Sequence, residues 1–261
     1  MGITNTQKNN INDDRSFSVV LPTFNEKDNI IPLVEAIFMA VPYAEIIVVD
    51  DNSPDMTWKV VQDYAKIHDN ISLIRRIGKK GLVSALNDGI ALAKGSVIGW
   101  MDCDFSMPPE HYVDLLKKID EGFDIAVASR FVSRGGVEII TGSPDTIMTF
   151  LMSLFLNRFV RFMLDSSIKD YTSGFICIKK DILDDIPLKG DYGEYFIELI
   201  FRVKKMGYRI IEIPYLCRAR TKGTSKTGTN IFHYLKKGVK YILVTLKLKF
   251  SRIKKVRRHH G

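Results

Sequence analysis

Short, continuous apolar runs separated by stretches of helical character constrain this chain more than any other feature. The runs are FSVVLPTFNE (17–26), EIIVVDD (45–51), ISLIRRI (71–77), SVIGWMD (96–102) and DIAVAS (124–129). They do not alternate apolar with polar residues, as a strand with one wet face would. Each therefore suits a strand covered on both sides, the habit of parallel sheets. Between them, residues 27–40, 55–68, 81–94 and 108–120 read as helices; Ser-Pro-Asp opens the second and Pro108-Pro109 fits the first turn of the fourth. Strand alternating with helix four times over predicts an α/β domain with a mostly parallel sheet and right-handed connections.

The rhythm changes after residue 130. Residues 144–164 are apolar nearly all round, apart from a stripe at Thr149, Ser153, Asn157 and Arg161. SGFICIKK (173–180) and YRIIEIPY (208–215) read as strands and 192–206 as a helix. RTKGTSKTGTN (220–230) is a loop, followed by one long basic helix from 231 to about 256. Residues 1–15 are polar, lack an apolar signal region and are expected to form a disordered arm. No run of about 18 apolar residues occurs, so no spanning helix is expected. Cys103, Cys177 and Cys217 lack metal-ligand or CxxC spacing and read as small core residues.

Charge is unevenly placed. Residues 213–261 hold 14 Lys or Arg and no Asp or Glu, whereas residues 1–212 hold 24 basic and 30 acidic residues. An acidic body with a basic tail points to a polyanionic partner such as an anionic membrane, phosphate groups or nucleic acid. On the tail helix, Phe232, Leu235, Val239, Ile242, Leu246 and Ile253 share one face, and Lys236, Lys237, Lys240, Lys247 and Lys254 lie elsewhere. Such a helix lies on an anionic surface, each basic side chain contributing roughly 1 kcal/mol there.

Open α/β sheets bind ligands beyond the carboxyl ends of their strands. Three polar clusters fall there: PTFNE (22–26), DDNSPD (50–55) and DCD (102–104). In extended backbone, Asp102 and Asp104 would point the same way and Cys103 the other. Two carboxylates on one side repel unless a cation lies between them, and hard oxygen ligands suit Mg²⁺ or Mn²⁺ holding substrate phosphates. The alternative is helix capping by Asp104 with a solvated Asp102.

The ordered set LPTFNE, VVDDNSPD, MDCD with PPE, ASRF, TSGF and RTKGTSK resembles family 2 glycosyltransferases of the GT-A fold, most of all the dolichyl-phosphate mannosyltransferase (polyprenyl-phosphate glycosyltransferase) group. The resemblance spans roughly residues 17 to 235. It implies a GT-A, Rossmann-like, mostly parallel sheet flanked by helices, with a catalytic domain over 16–228 and a basic amphipathic membrane-surface segment over 229–261. It further implies Pro22, Thr23, Phe24, Glu26, Asp50, Asp51 and Asp102 on the nucleotide-sugar. Asp102 and Asp104 would hold the metal, with Ser106 where many relatives carry a Gln ligand. Phe24 stands where a Tyr is usual, and Tyr171 where a Pro is frequent. Arg130 is implied for the acceptor phosphate, with Asp170 and Ser173 lining its site and Arg220, Lys222, Ser225 and Lys226 on phosphates. Asp102, Asp104 and Arg130 are the candidate catalytic residues.

The implied reaction is inverting, Mg²⁺- or Mn²⁺-dependent transfer of a sugar, mannose from GDP-mannose first and glucose from UDP-glucose second, to a polyprenyl monophosphate. The implied location is the cytoplasmic face of a membrane, peripherally bound, with residues 144–164 lying in the interface or in the core. Some relatives carry C-terminal spanning helices, so this chain either binds peripherally or leans on a small membrane-protein partner. Rival readings are a family 2 enzyme with a glycan acceptor and a non-catalytic membrane or nucleic-acid module. The second leaves Asp51, Asp102 and Asp104 without a task, so nucleic acid is not the expected partner. A processive synthase is disfavoured because Gln-x-x-Arg-Trp is absent; the only tryptophans are Trp58 and Trp100.

Overall fold

The computed structural model describes residues 16–138, 144–218 and 231–251, the side chains of 144–149 and 231–237 excepted. The expected arm 1–15 and loop residues Arg220, Lys222, Ser225 and Lys226 lie outside the described residues, as do Ile253 and Lys254.

The five apolar runs become strands β1 (Phe17–Thr23), β2 (Glu45–Asp50), β3 (Ile71–Arg75), β4 (Val97–Trp100) and β5 (Ile125–Ser129). Helices α1 (Lys27–Ala40), α2 (Thr57–Ala65), α3 (Leu82–Leu92) and α4 (His111–Asp120) connect them. The remainder comprises β6 (Gly136–Val137), α5 (Pro144–Met163), β7 (Ile176–Lys179), α6 (Lys180–Asp185), α7 (Glu194–Met206), β8 (Ile210–Pro214), β9 (Leu216–Cys217) and α8 (Ile231–Lys249). The seven-stranded sheet runs β3-β2-β1-β4-β7-β5-β8, and β6 pairs with β9 in a small separate ribbon. All pairs in the large sheet are parallel except those of β7, which lies antiparallel between β4 and β5. The sequence located β7 but carried no sign of its direction. Direction follows from the path: residues 170–174 lie at the carboxyl end of the parallel strands, so the strand that leaves them must run back.

Period two within continuous apolar runs explains the two cores. Val19, Leu21, Ile46 and Val48 face α1 and α4 in one cluster. Val20, Ile47 and Val49 face α3 and α7 in the other. Each fully buried Val, Leu or Ile contributes about 1.5–3 kcal/mol. Packing is close enough that a Cβ on Gly99 of β4 would stand 2.8 Å from both the Phe17 and Tyr112 rings.

Helix α5 turns one residue of its polar stripe inward. Asn157 is buried, accepting from the Tyr171 N–H (2.9 Å) and donating to the Lys169 carbonyl. Asn157 thus faces inward, where it satisfies the backbone that leads to Asp170. Leu151, Leu154, Phe155 and Phe162 are left facing outward, the two phenylalanines 75% and 84% exposed. Helix α8 packs against α5 and α7 and exposes Val239, Ile242, Leu243 and Leu246. No helix among the described residues is long and apolar enough to cross a membrane.

Candidate active site

The strand order turns outward from β1 and β4, and their carboxyl ends flank a cavity of about 420 Å³. The β1–β4 ladder stops at Val20 and Trp100. Pro22 follows, so its missing N–H costs no bond on that side, and the two strands part to open the crevice.

Pro22, Thr23, Phe24 and Glu26 line one wall. The Thr23 hydroxyl donates to Asp50 (2.9 Å), and Glu26 accepts from the Asn29 amide (2.8 Å). Asp50 departs from its expected place at the nucleotide. It is fully buried and is not among the cavity-lining residues. Its carboxylate accepts from the Ser53 N–H (2.8 Å), the Ser53 hydroxyl (2.6 Å) and Thr23. Asp50 therefore ties the β2 loop to β1, while its neighbour Asp51 reaches the cavity.

Asp51 is fixed by a residue the sequence reading passed over. Arg76, 5% exposed, donates to Asp51 through Nε (2.7 Å) and Nη2, and also reaches Ser84 (2.8 Å), Asp88 (3.2 Å) and the Gly81 carbonyl (2.9 Å). The Gly81 N–H donates to the other Asp51 oxygen (2.9 Å), and Gly81 holds φ +131°, a conformation that favours glycine. The signal was present: Arg76 follows the β3 strand at its carboxyl end.

Asp102 and Asp104 both line the cavity, though not by strand alternation. β4 ends at Trp100, and the residues after it form a tight turn with Phe105 at φ +63°. Asp102 is exposed, whereas Asp104 is buried and accepts from the Ser106 N–H (3.0 Å). Cys103 does not face away; it lines the same cavity with its thiol toward the Pro22 carbonyl. Ser106 is not among the lining residues, and its carbonyl accepts from the Arg218 N–H (2.9 Å). Among the described residues no group of three His, Cys, Asp or Glu side chains converges as a closed metal site. Two hard carboxylates on an open cavity suit a divalent ion whose other positions go to substrate phosphate and water.

Arg130 sits behind the opposite wall. It donates to buried Asp170 through Nε (2.9 Å), Nη2 (2.9 Å) and its backbone N–H (3.1 Å), and to Thr172 (2.8 Å). Burial works against both charges, yet each holds the other: the Asp170 carboxyl titrates below its ordinary value and the guanidinium above its own. Thr172, Ser173 and Gly174 carry this support to the cavity surface. Asp170 is thus a support beneath the lining, not part of it. Ser173 donates to the Ala128 carbonyl.

The remaining wall was not foreseen. Asp191, Tyr192, Gly193 and Tyr195 lead into α7, and Tyr241 comes from α8. The Trp100 indole N–H donates to the Tyr195 hydroxyl (2.8 Å), joining α7 to the end of β4. These aromatics resembled ordinary core residues in sequence, and only packing brings them to the cavity.

Residues 18–187 match the family described as Glycosyl transferase family 2. The chain belongs to this family. Two relatives are each 34% identical to this chain. One is named dolichol-phosphate mannosyltransferase, from Pyrococcus furiosus, and the match covers 84% of this chain and 61% of that protein. The other is named polyprenol monophosphomannose synthase, from Mycolicibacterium smegmatis, with 82% of each chain covered. The chain therefore spans about three-fifths of the length of the Pyrococcus relative. Among solved structures, glucosyl-3-phosphoglycerate synthase from Mycobacterium tuberculosis, in complex with Mn²⁺, UDP and glucosyl-3-phosphoglycerate, superposes with a TM-score of 0.65 at 19% identity. That match covers 90% of this chain and 80% of the other. The chain has the GT-A fold, a mixed α/β architecture with a mostly parallel sheet flanked by helices.

Proposed function

We propose that this transferase moves a sugar, mannose from GDP-mannose in the first instance, onto a polyprenyl monophosphate, inverting the anomeric centre. The observation that carries the reading is the meeting of Asp102 and Asp104 with the β1 wall and the Thr172–Gly174 wall on one cavity at the strand switch point. The names of the two 34%-identical relatives favour mannose and a polyprenyl acceptor.

Thr23, Phe24 and Asp51 would position the nucleoside, the Asp51 carboxylate held in place by Arg76. Asp102 and Asp104 would hold Mg²⁺ or Mn²⁺, which supplies positive charge to the leaving diphosphate. An acceptor phosphate oxygen is already anionic at neutral pH, so attack on the anomeric carbon needs no strong base. The new carbon–oxygen bond forms as the bond to the diphosphate breaks, and the nucleoside diphosphate departs with the electron pair. Arg130 neutralises the acceptor from behind Thr172, its guanidinium pre-oriented by Asp170.

The decisive assay incubates the protein with Mg²⁺ or Mn²⁺, a short-chain polyprenyl monophosphate and, separately, GDP-mannose, UDP-glucose and UDP-N-acetylglucosamine. Nucleoside diphosphate release that requires both lipid and metal, greatest with GDP-mannose, is expected. Release with UDP-glucose alone would replace the donor, and equal release without lipid would remove the lipid acceptor.

We further infer that the outward faces of α5 and α8 lie on an anionic lipid surface. Phe155 and Phe162 on one helix and Val239, Ile242, Leu243 and Leu246 on the other are exposed, beside exposed Arg158, Lys247 and Lys249. Apolar side chains flanked by an acid-free basic segment match the headgroup region of such a bilayer. The protein is expected to sediment with phosphatidylserine-containing vesicles, more weakly in high salt, and Phe155→Asp/Leu243→Asp is expected to stay in solution. Equal partition of wild type and variant would refute this surface.

A further inference from the structure

Tyr241 is the one cavity-lining residue that α8 contributes among the described residues. Among the described residues its hydroxyl donates no hydrogen bond, although the ring packs against the core that contains α7. The hydroxyl passes so close to Gly193 that any Cβ there would collide with it, so the glycine makes room for this side chain. Next to it, Lys240 pairs with Asp191 (2.6 Å), fixing α8 to the cavity wall on the other side of Gly193. Burial, then the neighbouring Tyr192 and Glu194, raise the Tyr241 pKa well above its ordinary value, with Asp102 raising it and Arg130 lowering it. The phenol therefore remains a hydrogen-bond donor at any physiological pH.

A phenol donor on the wall of a cavity that Asp102 and Asp104 also line, with no acceptor among the described residues, is placed to serve a ligand oxygen. Resting on the transferase reading above, we propose that Tyr241 is a substrate-contacting residue whose hydroxyl donates to a substrate phosphate oxygen. The phosphate belongs either to the lipid acceptor or to the donor's diphosphate, and kinetics distinguishes them. Because the same helix carries Ile242 and Leu243 on its outward face, the contact is made by the element that meets the surface.

The test is Tyr241→Phe, which keeps the ring and its packing and removes only the hydroxyl. Wild type and variant are compared with Mn²⁺, GDP-mannose and a short-chain polyprenyl monophosphate, each substrate varied in turn. Loss of one hydrogen bond to a charged oxygen is expected to raise one KM by about tenfold. A rise confined to the lipid phosphate assigns the acceptor; a rise confined to GDP-mannose assigns the diphosphate. Unchanged KM values for both substrates, with the variant's thermal midpoint equal to wild type, would overturn the proposal while leaving the transferase reading intact. If wild type itself turns over no donor, the failure lies in that reading, and calorimetric titration of inorganic pyrophosphate into the two proteins still tests Tyr241. Equal affinity in both proteins would then overturn a contact to the diphosphate, and equal affinity for a short-chain polyprenyl monophosphate titrated in the same way would overturn the contact altogether.

Discussion

Asp104→Asn is expected to reduce lipid-dependent nucleoside diphosphate release by on the order of 10³-fold, the scale of removing one preorganised electrostatic contact from a reacting centre. The fold should survive. Asp104 accepts the Ser106 N–H through one oxygen (3.0 Å), and an asparagine carbonyl can accept the same bond, so the turn after β4 keeps its shape. What disappears is one of the two carboxylate charges that the turn after β4 offers to a divalent ion. The expected signature is lost turnover, a raised metal requirement and an unchanged thermal midpoint. Turnover within tenfold of wild type at limiting metal would remove Asp104 from the chemistry and leave it as a turn residue. Vesicle binding should be unaffected, since α5 and α8 present a different face.

Asp170→Asn is expected to lower the thermal midpoint by about 10 °C. The carboxylate is fully buried and is the hub of the segment that backs Thr172: it accepts from Arg130 Nε, Nη2 and N–H and from the Thr172 N–H (3.0 Å). Breaking a buried pair from one side costs about 3–5 kcal/mol because the remaining charge stays desolvated. In a domain of this size each kcal/mol moves the midpoint by roughly 2–4 °C. The pH dependence gives a second check. The folded Asp170 pKa lies below its ordinary 3.8. Its stabilisation is therefore fully present above that value and is lost as pH falls through the folded pKa. The stability gap between wild type and variant should be constant from neutral pH to about pH 5, and should narrow only in stronger acid. A gap that closes near neutrality would show that another group controls this region. Activity should fall as well, because Arg130 loses the partner that orients it.

Much of the architecture was legible in the chain. Apolar runs without alternation gave β1 to β5 and their parallel order of appearance, because a strand buried on both faces has no polar side to display. Helix α1 was predicted at 27–40 and forms at Lys27–Ala40. Predicted ends elsewhere ran long, as at β4, where 96–102 became Val97–Trp100. There the apolar run continues through Met101, but the chain has already left the ladder. For that reason Asp102 and Asp104 meet through a turn and not through strand alternation.

Residue order and type carried the sheet class, the carboxyl-end clusters, Asp102 and Asp104 on the cavity and the strongly basic tail. These depend on local periodicity and on residue type, and both are written along the chain. Tertiary structure alone decided that Asp50 turns inward while Asp51 faces the cavity, since one residue's difference in strand phase reverses a side chain. It alone brought Arg76 under Asp51, ran β7 backward between β4 and β5, and turned Asn157 of α5 toward the core. It also carried Tyr241 from the C-terminal helix to a wall shared with residues about fifty positions earlier, Asp191 to Gly193. Such pairings depend on which distant surfaces pack together, and side-chain periodicity within one element holds no information about its neighbour.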